Sequence, residues 1–160
     1  MQAPEPQEAH RWLQRLVGEW KWEMEAPAGP DQPATKHEGT ESVRPLGELW
    51  TIGEGSSTMP DGSSASTVMT LGYDPARQRF VGTFIGSMMT HLWIYEGRLD
   101  ASGDKLTLDA EGPTFTGDGE MAQYQDEMEW VSDEHRVLRS RVLQGGEWQQ
   151  FMEAHYRRVR

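Results

Sequence analysis

Two residues stand out as groups able to do chemistry near neutral pH, His91 and Glu54. An imidazole enclosed among apolar side chains can accept, donate or shuttle a proton, or ligate a haem iron. A carboxyl group taken out of water has its pKa raised unless a cation answers it, so a buried Glu facing a buried His would make an acid–base pair suited to isomerase or cyclase chemistry. The structural alternative is a core histidine hydrogen-bonded to a neighbour such as Glu54, with Glu54 answered by His91 or Arg44. Large apolar groups recur at alternating positions nearby: His91, Trp93 and Tyr95; Trp50, Ile52 and Glu54; Met69, Leu71 and Tyr73; Tyr124, Asp126, Met128 and Trp130. Each set mixes apolar bulk with one or two polar groups, as ligand pockets do. Met88-Met89 adds soft, adaptable lining. The expected binding set is therefore Trp50, Met69, Met89, His91, Trp93 and Tyr124, around a small apolar or aromatic molecule. The same side chains would equally serve a solid core.

Other chemistries find little support. Cysteine is absent, which removes disulfides, thiolate nucleophiles and sulfur-ligated metals. The five histidines are scattered and form no H-E-x-x-H, and Glu153-Ala154-His155 reads as a surface pair, so no metal is expected. There is no G-x-S-x-G elbow and no phosphate loop, since Gly53-Glu54-Gly55 lacks both a third glycine and a following helix. No cofactor is expected; haem on His91 or His155 is the alternative. A formal charge of −11 argues against nucleic acid and anionic membrane as partners. No segment has the length and apolarity of a membrane span or a secretory signal, so a cytoplasmic location is expected.

These side chains need a scaffold, and the sequence supplies a sheet. The chain carries 7 Trp, 4 Tyr, 4 Phe and 9 Met, enough bulk to fold despite its low mean hydropathy, and its 160 residues fit a single domain over 1–160. Glu19-Trp20-Lys21-Trp22-Glu23-Met24-Glu25 alternates large apolar with charged residues, the period of a strand with one buried face. Nine further segments follow: 40–46, 48–57, 66–73, 79–86, 91–99, 105–111, 121–131, 135–143 and 147–158. Turn signals such as Asp74-Pro75, Gly117-Asp118-Gly119 and Gly145-Gly146 separate them. Consecutive antiparallel strands must hide their edges, and closure into an up-and-down barrel of about eight to ten strands over residues 18–158 does so. Gly53, Gly72, Gly82 and Gly86 suit bulges or sharp bends in it. One short helix is expected at 6–17, with Trp12, Leu13, Leu16 and Val17 as its apolar stripe, packing as a lid or plug. The segments 26–34 and 56–66 read as mobile connections, either of which would gate an opening. Arg136, Arg139, Arg141, Arg157, Arg158 and Arg160 make the C-terminal end basic and read as a solvated face pairing with acidic strands. Exposed aromatics leave room for a homodimer.

Gly18-Glu19-Trp20, entering the first strand after a short helix, resembles the lipocalin and calycin motif whose Trp closes one end of the barrel. That pattern implies a basic last-strand residue stacked on the Trp, either Arg157 or Arg158. Longer strings are more specific: Gly39-Thr40-Glu41, the run Met69 to Pro75, the run Phe80 to Met89 and Leu92 to Gly97. They resemble the bacterial DUF1579 family over nearly the whole chain. The resemblance implies a lipocalin-like barrel and carries no established activity.

Overall fold

The computed structural model describes residues 2–26, 35–59 and 61–160. Ten strands follow one short helix, α1 (Glu8–Gln14): β1 (Gly18–Ala26), β2 (Thr35–Leu46), β3 (Trp50–Thr58), β4 (Ser64–Asp74), β5 (Arg79–Gly86), β6 (Trp93–Leu99), β7 (Lys105–Pro113), β8 (Met121–Ser132), β9 (His135–Gln144) and β10 (Glu147–Arg158). Each strand runs antiparallel to its sequence neighbour, and β1 closes on β10 with Trp20 opposite Arg158. The result is the closed up-and-down barrel expected from the alternation, with a strand at each of the ten segments.

The boundaries differ in instructive ways. β2 starts at Thr35, and β6 starts at Trp93, which leaves His91 in the preceding loop. Ser56 to Thr58 belong to β3 and Ser64 to Ser66 to β4, and between the two strands the Asp61 carboxylate accepts from the Ser63 amide and hydroxyl. Residues 27–34, most of the other connection expected to be mobile, lie outside the described residues. Register shifts fall at Trp130/Ser132 and Gln150/Met152, and none falls at Gly53, Gly72, Gly82 or Gly86. Gly72 is small for another reason: the Trp50 ring lies where its Cβ would stand.

Helix α1 is shorter than its apolar stripe suggested: Gln7 takes the N-cap position, and after Gln14 the chain tightens, with the Leu16 and Val17 amides donating to the Leu13 and Gln14 carbonyls three residues back. The His10 ring accepts from the Gln7 amide through Nδ1 (2.9 Å) and donates to the Tyr73 carbonyl through Nε2 (3.0 Å). With this anchor, Trp12, Leu13 and Leu16 plug one end of the barrel against Phe80, Leu71, Leu106, Trp20 and Trp130. Trp20 is fully buried and donates to the Leu16 carbonyl (2.8 Å). Arg158 covers its ring at 4.3 Å from the centroid and donates to the Val17 and Arg15 carbonyls, so it is Arg158 that takes the stacking position. Arg136 lies over Trp20 as well, at 4.6 Å.

Candidate functional site: a cavity inside the barrel

The interior is not solid. Strand alternation points Gly39, Gly53, Gly55, Ser57, Ala65 and Thr67 of β2 to β4 inward, and a wall of such small residues cannot reach the opposite side. A cavity of about 710 Å³ remains, within the roughly 300–1,000 Å³ typical of small-molecule sites. Trp22, Phe84, Trp93, Tyr124 and Met69 form its sides, and Met88, Phe115 and Phe151 stand exposed at its rim, at the end away from α1. Seven of the nine methionines border this one space: Met24, Met59, Met69, Met88, Met89, Met128 and Met152.

The structure brings Met69, Met89, His91, Trp93 and Tyr124 together on this cavity. Trp93 lies flat over Gly112, where a Cβ would collide with its ring, and donates from Nε1 to Met89 Sδ (3.2 Å). His91 meets Trp93 edge-on at 4.8 Å and hydrogen-bonds through Nε2 to the Glu111 carbonyl (2.8 Å). Tyr124 packs edge-on against Trp93 at 5.0 Å and donates to the Pro113 carbonyl (2.5 Å).

Two expected members are placed elsewhere. Trp50 and Glu54 lie on the outer face of β3, because Thr51, Gly53 and Gly55 take the inward parity. Trp50 covers Gly72 from outside, and Glu54 accepts from Arg44 Nε at 3.2 Å with both side chains more than half exposed. Glu54 therefore does not face His91, and the acid–base pair is not assembled. His155 is also on the outer surface, between His135 (2.9 Å) and Glu153 (3.2 Å), so it offers no axial position to an interior haem. Burial, with the positive charges of Arg157 and His155, holds the His135 pKa below its ordinary value. Among the described residues no cluster of three or more His, Asp or Glu side chains could hold a metal ion.

The deep polar residues escaped the alternation argument. Arg136, expected on the solvated basic end, is 2% exposed and points inward from β9 with Leu138 and Ser140. Its guanidinium donates to Glu41 (2.5 Å) and lies 4.1 Å from the Tyr156 ring centroid. The shared parity of Arg136 and Leu138 was the available signal. By contrast Arg139 pairs with Glu127, Glu129 and Glu153, and Arg141 with Glu127, on the outer face as expected for that end.

Beside the Arg136–Glu41 pair, Asp126 accepts from Tyr95 (2.5 Å) and Ser140 (2.6 Å). Burial raises the Asp126 pKa against the opposing effect of these two donors, and burial together with the Asp126 charge pushes the Tyr95 hydroxyl well up. A folded-state pKa above the unfolded one means that the native state binds the proton more tightly. Stability from this group is thus fully present below its ordinary pKa of 3.8 and is lost as pH rises through the folded value. Asp126→Asn is expected to gain stability over wild type at neutral pH, with the difference vanishing in acid. Urea unfolding across pH measures it, and an Asn variant that is less stable at neutral pH would contradict it.

A helix-plugged antiparallel barrel, with Trp20 held under Arg158 at one end and a ligand-sized cavity toward the other, has the lipocalin-like architecture. The chain belongs to DUF1579, described as a protein family of unknown function, which matches residues 5–158. No curated protein sequence matches it. Among solved structures it is similar to Rv2717c from M. tuberculosis, with TM-score 0.65 and 14% identity over 98% of this chain and 100% of that one. It is also similar to the S-type phycobiliprotein lyase CPES from Guillardia theta, with TM-score 0.58 and 12% identity over 96% and 94%. Likeness at this identity concerns the fold.

Proposed function

We propose that residues 1–160 act as one lipocalin-like unit that binds a small, mostly apolar molecule inside the barrel. The observation that carries this reading is the cavity of about 710 Å³, walled by aromatic and methionine side chains and kept open by the small inward residues of β2 to β4. Rigid aromatic walls supply contact area, and methionines adapt to irregular shapes. Met69, Met89, His91, Trp93 and Tyr124 are the binding residues of this reading. The same reading takes a cytoplasmic setting, with which a chain that needs no disulfide is compatible.

The test is titration with N-phenyl-1-naphthylamine, a neutral dye that brightens in apolar surroundings, on wild type and Ala65→Phe. Ala65 lines the cavity and is 2% exposed, so a phenyl group there projects into the space. Saturable brightening that weakens about tenfold or more in the variant is expected, a loss of roughly 1.4 kcal/mol. No brightening of wild type, or equal affinity in both, would overturn the reading. Native mass spectrometry of freshly purified protein then shows whether a co-purified ligand leaves on denaturation.

The same reading includes a homodimer through the outer face of β3 to β6. Ile52, Thr70, Thr83 and Ile94 stand in one cross-strand row, flanked by Val68 opposite Ile85, and Ile94 and Ile85 are 62% and 48% exposed. The row itself is uncharged on a chain of net charge −11, and the acids at its border, Glu54 and Glu96, are answered by Arg44 and Arg77, so it is where two copies approach with least repulsion. Ile94→Lys is expected to turn a dimer into a monomer by sedimentation velocity. A wild type that sediments as a monomer at high concentration would rule the dimer out.

A further inference from the structure

We propose that the floor of the cavity is a hydrogen-bonding subsite for one neutral acceptor oxygen, a carbonyl or hydroxyl on an otherwise apolar ligand, and that it rejects a carboxylate. The inference rests on interior binding as read above. Arg136 is the one Lys or Arg side chain among the described residues lining the cavity. In isolation such a guanidinium would select an anionic head group. Here Glu41, 2.5 Å away and itself largely buried, already answers its charge. Asp126 places a second carboxyl group on the same floor, with Tyr95 and Ser140 as its donors. An incoming carboxylate therefore meets two acids against one base, in surroundings where Coulomb terms are poorly screened.

Unpartnered donors are what the floor has to offer. Arg136 Nε is buried with no hydrogen-bond partner. The Tyr156 hydroxyl, on a ring stacked under the same guanidinium, has no hydrogen-bond partner among the described residues, although Tyr156 lines the cavity. Burial, with the negative charge of Glu41, raises the Tyr156 pKa, so the phenol keeps its proton at neutral pH. A ligand oxygen placed above Tyr156 would accept from this hydroxyl, which no protein acceptor among the described residues holds.

The test compares three probes of one shape by calorimetry at neutral pH: naphthalene, 2-acetylnaphthalene and 2-naphthoate. The ketone is expected to bind about tenfold or more tighter than the naphthoate, and several-fold tighter than naphthalene. Tyr156→Phe is expected to erase the ketone's advantage over naphthalene. Glu41→Gln, which leaves the guanidinium charge unanswered, is expected to raise naphthoate affinity about tenfold. Naphthoate binding as tightly as the ketone, naphthalene matching it, or a Tyr156→Phe protein that keeps the ketone's advantage would each overturn the proposal while interior binding stands. Binding of none of the three would overturn interior binding itself.

Discussion

Trp20→Ala is expected to destabilise the protein by about 3–5 kcal/mol, the range for emptying a fully buried indole site. The site cannot collapse easily, because three other groups are built on that ring. Arg158 and Arg136 lie over it at 4.3 and 4.6 Å, and Trp130 packs against it at 5.9 Å. The Leu16 carbonyl also loses its donor, in a place where water cannot substitute. For a chain of this size each kcal/mol shifts the thermal midpoint by about 2–4 °C, so calorimetric scanning resolves the effect readily. Trp20→Phe, which keeps a ring under Arg158 but not the donor, is expected to lose clearly less. Equal losses in the two variants would mean that the hydrogen bond, and not the stack, holds this end closed.

Arg136→Met is expected to cost a similar amount, about 3–5 kcal/mol, for a different reason: it leaves the Glu41 carboxylate inside the barrel without its cation. The side chain of Arg136 is only 3% exposed and that of Glu41 14%, so bulk water replaces the lost partner poorly. Replacing both residues, Arg136→Met with Glu41→Leu, is expected to regain most of the loss, since a matched apolar pair requires no desolvated charge. Denaturant titration of the two single variants and the double closes this cycle. A double variant as unstable as Arg136→Met alone would show that the stacking of Arg136 between Trp20 and Tyr156, rather than the ion pair, sets the cost. Because Arg136 touches Trp20, the effects of changing both residues are not expected to add.

The fold was legible because most strands carry a period-two pattern and most turns a glycine or Asx signal, the connection 87–92 being one without either. Even the closure follows from edge hiding, with no side-chain contact needed. Strand parity was legible where large residues face inward, as in Trp20-Trp22-Met24 and Tyr124-Asp126-Met128-Trp130. It failed in β3, where the large residues Trp50 and Ile52 face out and the small ones Gly53, Gly55 and Ser57 face in. Bulk normally marks the buried side, but here the absence of bulk makes the cavity and Trp50 finds its cover on Gly72. The polar floor was hidden for a related reason. A burial argument sorts Arg136 with its basic neighbours, and only the long-range partners Glu41 and Tyr156, supplied by β2 and β10, make an inward arginine tolerable. Those partners belong to the topology rather than to the local sequence.

The junction between β1 and β10 has a kinetic meaning. Nine of the ten strand pairings join sequence neighbours through short connections, so they can zip hairpin by hairpin at low loop-closure cost. The tenth spans almost the entire chain, with Trp20 meeting Arg158 and Met24 meeting Ala154. Until it forms, the sheet is an open ribbon with two bare edges, the state most able to add a strand from another molecule. The stack of Arg158 on Trp20 sits at this seam, so the contact that seals one end of the barrel is also the latch that ends its exposure to intermolecular pairing during folding.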